Sequence, residues 1–210
     1  RGKILNCLKA DLRSILNNDI IMDLIKVLGC GVDLGNKQVK NVAQFDIKRL
    51  RWNKVIICTD ADVDGSHIQV LLLTLFYRHF PRLVENGFVF IAKPPLFRVD
   101  VPAQGKRPAR KLYCLDESEL EAVQEKLVQK DGVKPGSLSI SRFKGLGEMS
   151  AEQLWETTMN PDTRRLLPVG YGELTSDETK QMFNMLMGKG ESAQRRSWLE
   201  DKGNLAEVDV

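Results

Sequence analysis

Three aspartates within five residues form the densest group of side chains in this chain that could do chemistry. Asp60, Asp62 and Asp64 lie in "TDADVDGSHI", directly after the apolar run 54–58. That run is short and β-branched, which predicts a buried strand. Because side chains two residues apart in an extended chain project to the same side, Asp60 and Asp62 can converge just past the end of the strand. Parallel α/β sheets bind their ligands at that edge.

The spacing D-x-D-x-D-G also opens a calcium loop, so a calcium site is the first alternative. An EF-hand loop needs a glutamate at its twelfth position and helices on both sides. Counting from Asp60, the twelfth residue is Leu71, which cannot bind a metal ion, and the preceding run is predicted to be a strand. The sequence therefore excludes an EF-hand.

Magnesium suits two close carboxylates better than calcium does. It binds few carboxylates, keeps several waters and leaves room for phosphate oxygens. Such sites assist phosphoryl transfer by stabilising the attacking or the leaving oxygen. The alternative is a strand-to-helix turn in which Asp64 or Ser66 only caps the helix, since Asp, Gly and Ser are all common in turns. The residues by themselves leave both interpretations open.

A second distinctive run, "SRFKGLGEMS" at 141–150, places Gly145 and Gly147 on either side of a leucine. Arg142 and Lys144 precede the first glycine. Glycines let a backbone approach a phosphate closely, and the two basic residues would supply positive charge. A tight strand-to-helix turn with surface charges explains the same residues.

The composition is that of an ordinary globular protein, with 210 residues, 42 % hydrophobic and 28 % charged. No apolar run approaches about 18 residues, so no membrane span is expected. The net charge is only +3. Basic pairs recur at Lys48-Arg49, Arg110-Lys111, Arg164-Arg165 and Arg195-Arg196. These pairs could line a phosphate backbone or simply be solvated.

The cysteine and histidine content argues against zinc. The four cysteines form no C-x-x-C pair, and the chain has only two histidines. Reduced thiols in a cytoplasmic protein are the simplest expectation, with Cys58 buried in the predicted strand. The chain also lacks a G-x-x-x-x-G-K-[ST] phosphate loop. We therefore do not expect these residues to hydrolyse nucleotides by themselves.

Hydrophobic periodicity predicts an α/β fold. A strand, a helix and a second strand within about forty residues form a βαβ unit, which implies a parallel sheet. Residues 101–110 are rich in Pro, Gly, Lys and Arg and predict a mobile loop.

Strands are predicted at 54–58, 88–92, 113–115 and 138–143, and helices at 11–28, 66–80, from Asp116, at 150–158, from 175 and near the C-terminus. Gly29 and Gly31 should stop the first helix, and Pro81 should kink or restart the second. Ser150 with Gln153 and Thr175 with Glu178 fit capping boxes at the starts of two later helices.

The motifs "TDADVDGSHI", "KPPLF", "RFKGLGEM" and "LWETTMNP" resemble, in this order, the TOPRIM region and the adjoining segment of bacterial type IIA DNA topoisomerase B subunits. The opening "RGKILN" fits the same family, so the resemblance covers nearly the whole chain. The least similar stretch is 101–135, which is short here although some gyrase B subunits carry a large insertion there. The tail "RRSWLEDKGNLAEVDV" is more similar to the topoisomerase IV branch than to the gyrase branch.

The resemblance implies a TOPRIM-type parallel sheet flanked by helices over residues 1–165 and a C-terminal helical tail over 166–210. It also implies that Asp60 and Asp62 bind catalytic Mg²⁺, with Asp64 as a supporting ligand. In this family a tyrosine of the partner A subunit cuts DNA, and the metal stabilises the scissile phosphate and the leaving 3′ oxygen. Residues that match DNA contacts of the family are Lys3, Asn6, His67 and Arg195.

The resemblance further implies two partners, DNA and a topoisomerase A subunit in an A2B2 heterotetramer, and no membrane. The family's first metal ligand is a glutamate in an E-G-D-S motif that precedes "RGKILN", and no such motif occurs here. We therefore expect a fragment that lacks the first strand, this glutamate and the ATP-binding region. Such a fragment would bind magnesium weakly and would not cleave DNA alone.

Other classes share parts of this pattern. A primase-like or nuclease-like TOPRIM protein shares the D-x-D pair, but "RFKGLGEM" and the tail argue against it. A non-catalytic interaction module, whose acids only cap a helix, predicts no response to magnesium. A receiver-like domain fits less well, because its acids are spread over several strand ends.

Overall fold

The computed structural model describes residues 2–205. Arg1 of "RGKILN" and residues 206–210 of the predicted C-terminal tail lie outside the described residues. The fold is α/β, as the sequence predicts, and it divides into two compact units. The first unit comprises residues 1–55, 68–89 and 168–210, and the second comprises 56–67 and 90–167. The predicted division into 1–165 and 166–210 follows the family resemblance and stays a prediction.

The predicted βαβ order is present in the chain. Strand β1 (Val55–Ile57) is followed by helix α3 (Val63–His79), by a short helix α4 (Pro81–Glu85) and by strand β2 (Val89–Ala92). A third strand, β6 (Leu166–Pro168), completes a sheet with the order β1-β2-β6. Pro81 begins α4, as predicted, because proline has no N–H to lose at the first position of a helix.

The first unit is mainly helical. Its fully buried side chains include Ile15, Ile21, Leu75, Phe80 and Leu83, which form part of the core. Its helices are α1 (Leu12–Leu16), α2 (Asp19–Leu28), residues 68–79 of α3, α4, α7 (Ser176–Met187) and α8 (Ser192–Lys202).

The prediction of a single helix over 11–28 is wrong, because the chain forms two helices there. Asn18 has an extended backbone, and its side-chain oxygen accepts a hydrogen bond from the Ile21 N–H, which starts α2 anew. Asparagine side chains compete with helical backbone hydrogen bonds in this way. The predicted stop at Gly29 is confirmed, since Gly29 adopts a left-handed φ of 75° at the end of α2.

The second unit is built on a three-stranded antiparallel sheet. Strand β3 (Phe97–Val101) pairs with β4 (Arg110–Cys114) and with β5 (Ser139–Arg142). Helix α5 (Glu117–Gln129) follows β4 and begins at the predicted cap, Asp116. A core of Phe97, Val99, Val101, Cys114, Leu127 and Val133 lies within this unit.

Strand β3 was not predicted, and it changes the interpretation of 101–110. Val101 and Arg110 are paired across the antiparallel β3–β4 ladder, so only 102–109 form a loop. The mobility of that loop stays a prediction.

Toward the end of this unit, the capping box of Ser150 and Gln153 is confirmed. The predicted helix through about Thr158 is present, but only its first part is an α-helix, α6 (Ala151–Leu154), and it continues as a π-helix over Trp155–Met159.

The capping box of Thr175 and Glu178 is confirmed at the start of α7.

No helix formed by the described residues has both the length and the apolar character needed to cross a membrane.

Candidate metal and nucleic-acid sites

The acidic loop, our name for residues 60–65, comprises the end of the connection from β1 to α3 and the first turn of α3, and it lies in the second unit. Asp60, Asp62 and Asp64 are all exposed. Asp62 directly precedes α3, and its Oδ1 accepts a hydrogen bond from the Gly65 N–H at 2.6 Å. This is an N-cap interaction, so Asp62 rather than Asp64 or Ser66 caps the helix. Capping and metal binding are compatible, because a carboxylate has two oxygens.

Gly65 is required by close approach to Asp60. A Cβ atom at position 65 would lie 2.1 Å from the Asp60 carbonyl oxygen, well inside van der Waals contact. Any side chain there would push the Asp60 backbone away. The glycine of D-x-D-x-D-G therefore has a steric role in this chain that is unrelated to calcium.

The glycine loop, residues 142–148, lies against the acidic loop within the second unit. The Leu146 N–H donates a hydrogen bond to Asp60 Oδ1 at 2.7 Å. A Cβ atom on Gly145 would lie 3.0 Å from the same oxygen, so the glycine lets the backbone approach the carboxylate. The sequence identified both runs but did not predict that they touch. The glycine loop contacts a carboxylate here, and the approach to a phosphate, one of the two alternatives that the sequence left open, stays a prediction.

The basic side chains of the glycine loop have different surroundings. The Arg142 guanidinium lies over the Phe97 ring, 5.7 Å from its centroid. Lys144 is exposed, and its backbone N–H donates to Glu148 Oε2 at 2.8 Å. That contact closes the loop on itself and holds the Leu146 N–H in place beside Asp60.

The electrostatics of the acidic loop favour a cation. Two exposed carboxylates, Asp60 and Asp62, lie two residues apart, and each accepts one backbone N–H through a single oxygen. Oxygen ligands of this kind are the ones that Mg²⁺ prefers, and one or two carboxylates are enough for it. Among residues 2–205, no group of three His, Cys, Asp or Glu side chains could hold a metal ion. Asp60, Asp62 and Asp64 therefore do not by themselves form a three-carboxylate group of this kind, and their role as metal ligands stays a prediction.

Cys58 and His67 lie on either side of the acidic loop. Cys58 follows β1 and is exposed, so the prediction of a buried thiol was wrong. Partial burial of its sulfur and the Asp60 charge nevertheless raise the pKa of the thiol. His67 is exposed on α3, two residues after the loop, where its imidazole is accessible to a ligand.

The other predicted DNA contacts lie in the first unit. Lys3 is exposed near the start of the chain. Asn6 and Arg195 both bind the C-terminal end of α7. Asn6 Nδ2 donates to the Met187 carbonyl at 3.0 Å, and Asn6 Oδ1 accepts from the Leu8 N–H at 2.9 Å.

Arg195 makes a more extensive contact with the same helix end. Its Nη1 lies 2.9 Å from the Met185 carbonyl oxygen and 3.2 Å from that of Gly188. A cation is stabilised there by the partial negative charge of a helix C-terminus. We call Asn6, Arg195 and the carbonyls of 185–188 the α7-end cluster. Its existence could not be inferred from the sequence, because backbone carbonyls have no sequence signal.

Comparison with known families gives two matches along the chain. Residues 1–94 match the Toprim domain, and residues 135–200 match the family described as "DNA gyrase B subunit, carboxyl terminus". The first match contains the acidic loop, and the second contains the glycine loop and Arg195. The two structural features that meet at Asp60 thus belong to two different family models.

Curated relatives match over the full length of the chain. The B subunit of DNA topoisomerase 4 from Haemophilus influenzae is 42 % identical over 100 % of the chain and 30 % of the relative. The B subunit of DNA gyrase from Staphylococcus epidermidis is 44 % identical over 100 % of the chain and 29 % of the relative. The corresponding gyrase protein of Thermus thermophilus is 44 % identical over 100 % of the chain and 30 % of the relative.

The chain therefore spans about 30 % of the length of these relatives. Its similarity to the topoisomerase 4 protein is comparable to its similarity to the gyrase proteins. Taken together, the two family matches and the relatives show that this chain belongs to the B-subunit family of type II DNA topoisomerases, in its Toprim and carboxyl-terminal region.

Proposed function

We propose that this chain supplies the magnesium-binding carboxylates of a type II DNA topoisomerase, an enzyme that passes one DNA duplex through a transient break in another. Asp60 and Asp62 would hold Mg²⁺, and Asp64 would support them. A tyrosine of the partner A subunit would cut the DNA. When bound, the metal supplies positive charge to the scissile phosphate and the leaving 3′ oxygen.

The contact between Asp60 and Leu146 is the observation that carries this proposal. A hydrogen bond of 2.7 Å from a backbone N–H fixes the orientation of the Asp60 carboxylate through one oxygen. The Gly65 N–H does the same for Asp62. Ligands held by backbone donors lose little conformational freedom when they bind, so the site is partly preorganised.

The remaining residues would bind the DNA backbone. Lys3 and Arg195 carry positive charge for phosphate oxygens, and Asn6 and His67 can hydrogen-bond phosphate or sugar without recognising sequence. Asn6 and Arg195 would do so while also holding the end of α7. We propose an A2B2 heterotetramer in the cytoplasm, in which ATP binds to a part of the protein outside this chain.

Within the family, the tail favours the topoisomerase IV branch over the gyrase branch, and the short 101–135 segment argues only against gyrase B subunits that carry a large insertion there. We expect the reconstituted enzyme to decatenate and relax DNA with ATP. Introduction of negative supercoils would assign the chain to the gyrase branch.

The experiment that tests the metal role compares conservative variants of the full B subunit, reconstituted with its A subunit. Asp60→Asn and Asp62→Asn keep an oxygen for the Leu146 and Gly65 N–H groups but remove the charge. Because several kcal/mol of charge stabilisation would be lost, magnesium-dependent DNA cleavage should fall by about a hundredfold or more. The readout is the yield of cleaved plasmid as a function of Mg²⁺ concentration.

The matched control is Asp23→Asn. Asp23 is an exposed carboxylate in α2 whose side chain pairs with the neighbouring Lys26, at 3.3 Å. This variant should cleave like the wild type. If Asp60→Asn and Asp62→Asn also cleave normally, the two carboxylates are turn residues and the proposed metal role is wrong.

A further inference from the structure

A cleft in the first unit takes no part in the proposed cleavage site. It lies among the ends of α3, α4 and α7, and its volume is about 490 Å³. That is within the range of about 300–1,000 Å³ typical of small-molecule pockets. The lining residues that matter here are Tyr77, His79, Tyr171, Thr179 and Phe183.

Aromatic rings form one wall of this cleft. The Tyr77 ring lies 4.8 Å from the Phe183 ring and 5.4 Å from the Tyr171 ring, measured between centroids. The Tyr77 hydroxyl donates to the Gly170 carbonyl at 2.5 Å, which holds the ring in place. A fixed aromatic wall favours a planar ligand, because aromatic rings pack best in offset or edge-to-face contact.

His79 contributes a buried hydrogen-bond acceptor. It is only 5 % exposed, and burial lowers the pKa of its imidazole, so the ring is neutral at pH 7. Its Nδ1 lies 3.3 Å from the Asp33 carbonyl oxygen. Since a carbonyl can only accept, Nδ1 carries the hydrogen and Nε2 holds a lone pair. Within residues 2–205, Nε2 has no hydrogen-bond partner.

Thr179 contributes a second buried polar group to the cleft. Thr74, another lining residue, serves as a comparison because its hydroxyl has a hydrogen-bond partner. The Thr74 hydroxyl donates to the Val70 carbonyl at 2.7 Å. The Thr179 hydroxyl is also buried, yet it too lacks a partner in the described part of the chain. Two buried polar groups without partners on the wall of one cleft are unusual, because such groups cost free energy unless a ligand or water satisfies them.

The charges on the lining residues select against a strongly charged ligand. Lys37, Arg78 and Lys180 carry positive charge, whereas Asp33 and Glu85 carry negative charge. The nearly balanced charges leave hydrogen bonding and ring packing as the selective interactions.

We propose that this cleft binds an uncharged planar heteroaromatic molecule that carries an N–H donor. The N–H bonds His79 Nε2, and the ring packs against Tyr77 and Phe183. His79 Nε2 and Thr179 Oγ1 are both covered by neighbouring atoms. The ligand therefore reaches them when the side chains that cover them change rotamer, as is common on binding. The proposal goes beyond DNA cleavage and does not depend on it.

The test uses two probes that differ in one group, indole and 1-methylindole. Binding to the purified full-length protein is measured by NMR titration. Indole should bind about tenfold more tightly than 1-methylindole, because the methyl group removes the only donor; tenfold corresponds to about 1.4 kcal/mol, which is within the range of one net hydrogen bond. Shifted resonances should come from the cleft.

Two variants complete the design. His79→Phe removes the acceptor but keeps an aromatic ring, so the preference for indole should disappear. His67→Phe makes the same change at an exposed position outside the cleft and should keep the preference. Equal affinity of the two probes for the wild type, or no binding of either, would overturn the proposal without any bearing on the metal site.

Discussion

The polar side chains of the acidic loop and of the α7-end cluster differ in exposure and in the backbone groups that they bind. In the acidic loop, Asp60 and Asp62 are exposed and accept hydrogen bonds from backbone N–H groups. In the α7-end cluster, Asn6 and Arg195 are half-buried and donate to backbone carbonyls. The backbone thus orients the two carboxylates without neutralising them, whereas the cation of Arg195 is engaged by a helix end. The first arrangement leaves negative charge available for a ligand. In the second, Arg195 stabilises the fold, and any contact with DNA would come in addition.

Of the changes that test this comparison, Gly65→Ala should have the largest effect on stability. The new Cβ would lie 2.1 Å from the Asp60 carbonyl oxygen, so the acidic loop must move. We expect a loss of about 3 kcal/mol in the free energy of unfolding, typical of overpacking at a tight site. Urea denaturation followed by circular dichroism measures it.

Gly147→Ala is the matched control in the glycine loop. An added Cβ at Gly147 meets no atom within 4 Å, so stability should change little. Equal stability of the two alanine variants would mean that the acidic loop is not held as tightly as the structure indicates.

Arg195→Ala should destabilise the first unit by about 2 kcal/mol. The substitution removes charge-assisted hydrogen bonds to carbonyls at 2.9 and 3.2 Å, at the negative end of α7. The neighbour Arg196 pairs with Glu200 on the surface, and its side chain is 82 % exposed. Arg196→Ala should therefore cost about 0.5 kcal/mol or less.

The same two arginine variants separate structure from DNA binding. If Arg195 also contacts a phosphate, Arg195→Ala should reduce the slope of log K against log salt by about 1, whereas Arg196→Ala leaves it unchanged. An unchanged slope with reduced stability would make Arg195 purely structural.

Asp62 offers a smaller test inside the acidic loop. Asp62→Ala removes the cap on α3 and should cost about 1 kcal/mol, whereas Asp62→Asn keeps a capping oxygen and should cost much less. Both should lose magnesium-dependent cleavage. Loss of cleavage in the alanine variant alone would reduce the role of Asp62 to capping.

The smallest expected effect is a dependence of stability on pH that comes from the first unit. Burial lowers the pKa of His79 below its ordinary value of 6.5, and the Arg78 charge acts in the same direction, while Asp33 opposes both. The unfolded chain therefore binds a proton more readily than the folded chain. The stabilisation from neutral His79 is fully present above pH 6.5 and is lost as the pH falls from there through the folded-state pKa.

His79→Gln should remove this dependence. Its unfolding free energy should change less than that of the wild type between about pH 7.5 and about pH 5.5, as measured by urea denaturation. Parallel curves for the two proteins would contradict the assignment of a lowered pKa to His79.

Local features of the fold were predictable from the sequence because their causes lie within a few residues. The capping boxes at Ser150 and Thr175, the helix stop at Gly29 and the restart at Pro81 all act over one helical turn. Strand β3 was predictable in principle, since Phe97, Val99 and Val101 alternate with polar residues and are buried. Its brevity and the two charged residues within it concealed the pattern.

The acidic loop and its candidate ligands were also apparent from the sequence, because three aspartates at this spacing exceed what a turn requires. The Gly65 N–H that holds Asp62 is three residues away, whereas only the tertiary structure decided what holds Asp60. Leu146 and Asp60 are 86 residues apart, and Asn6 and Met187 are 181 apart. In both pairs one partner is a backbone group, which every residue carries, so no residue type marks it. Such contacts are specified by how the chain packs, and the sequence by itself carries no local sign of them.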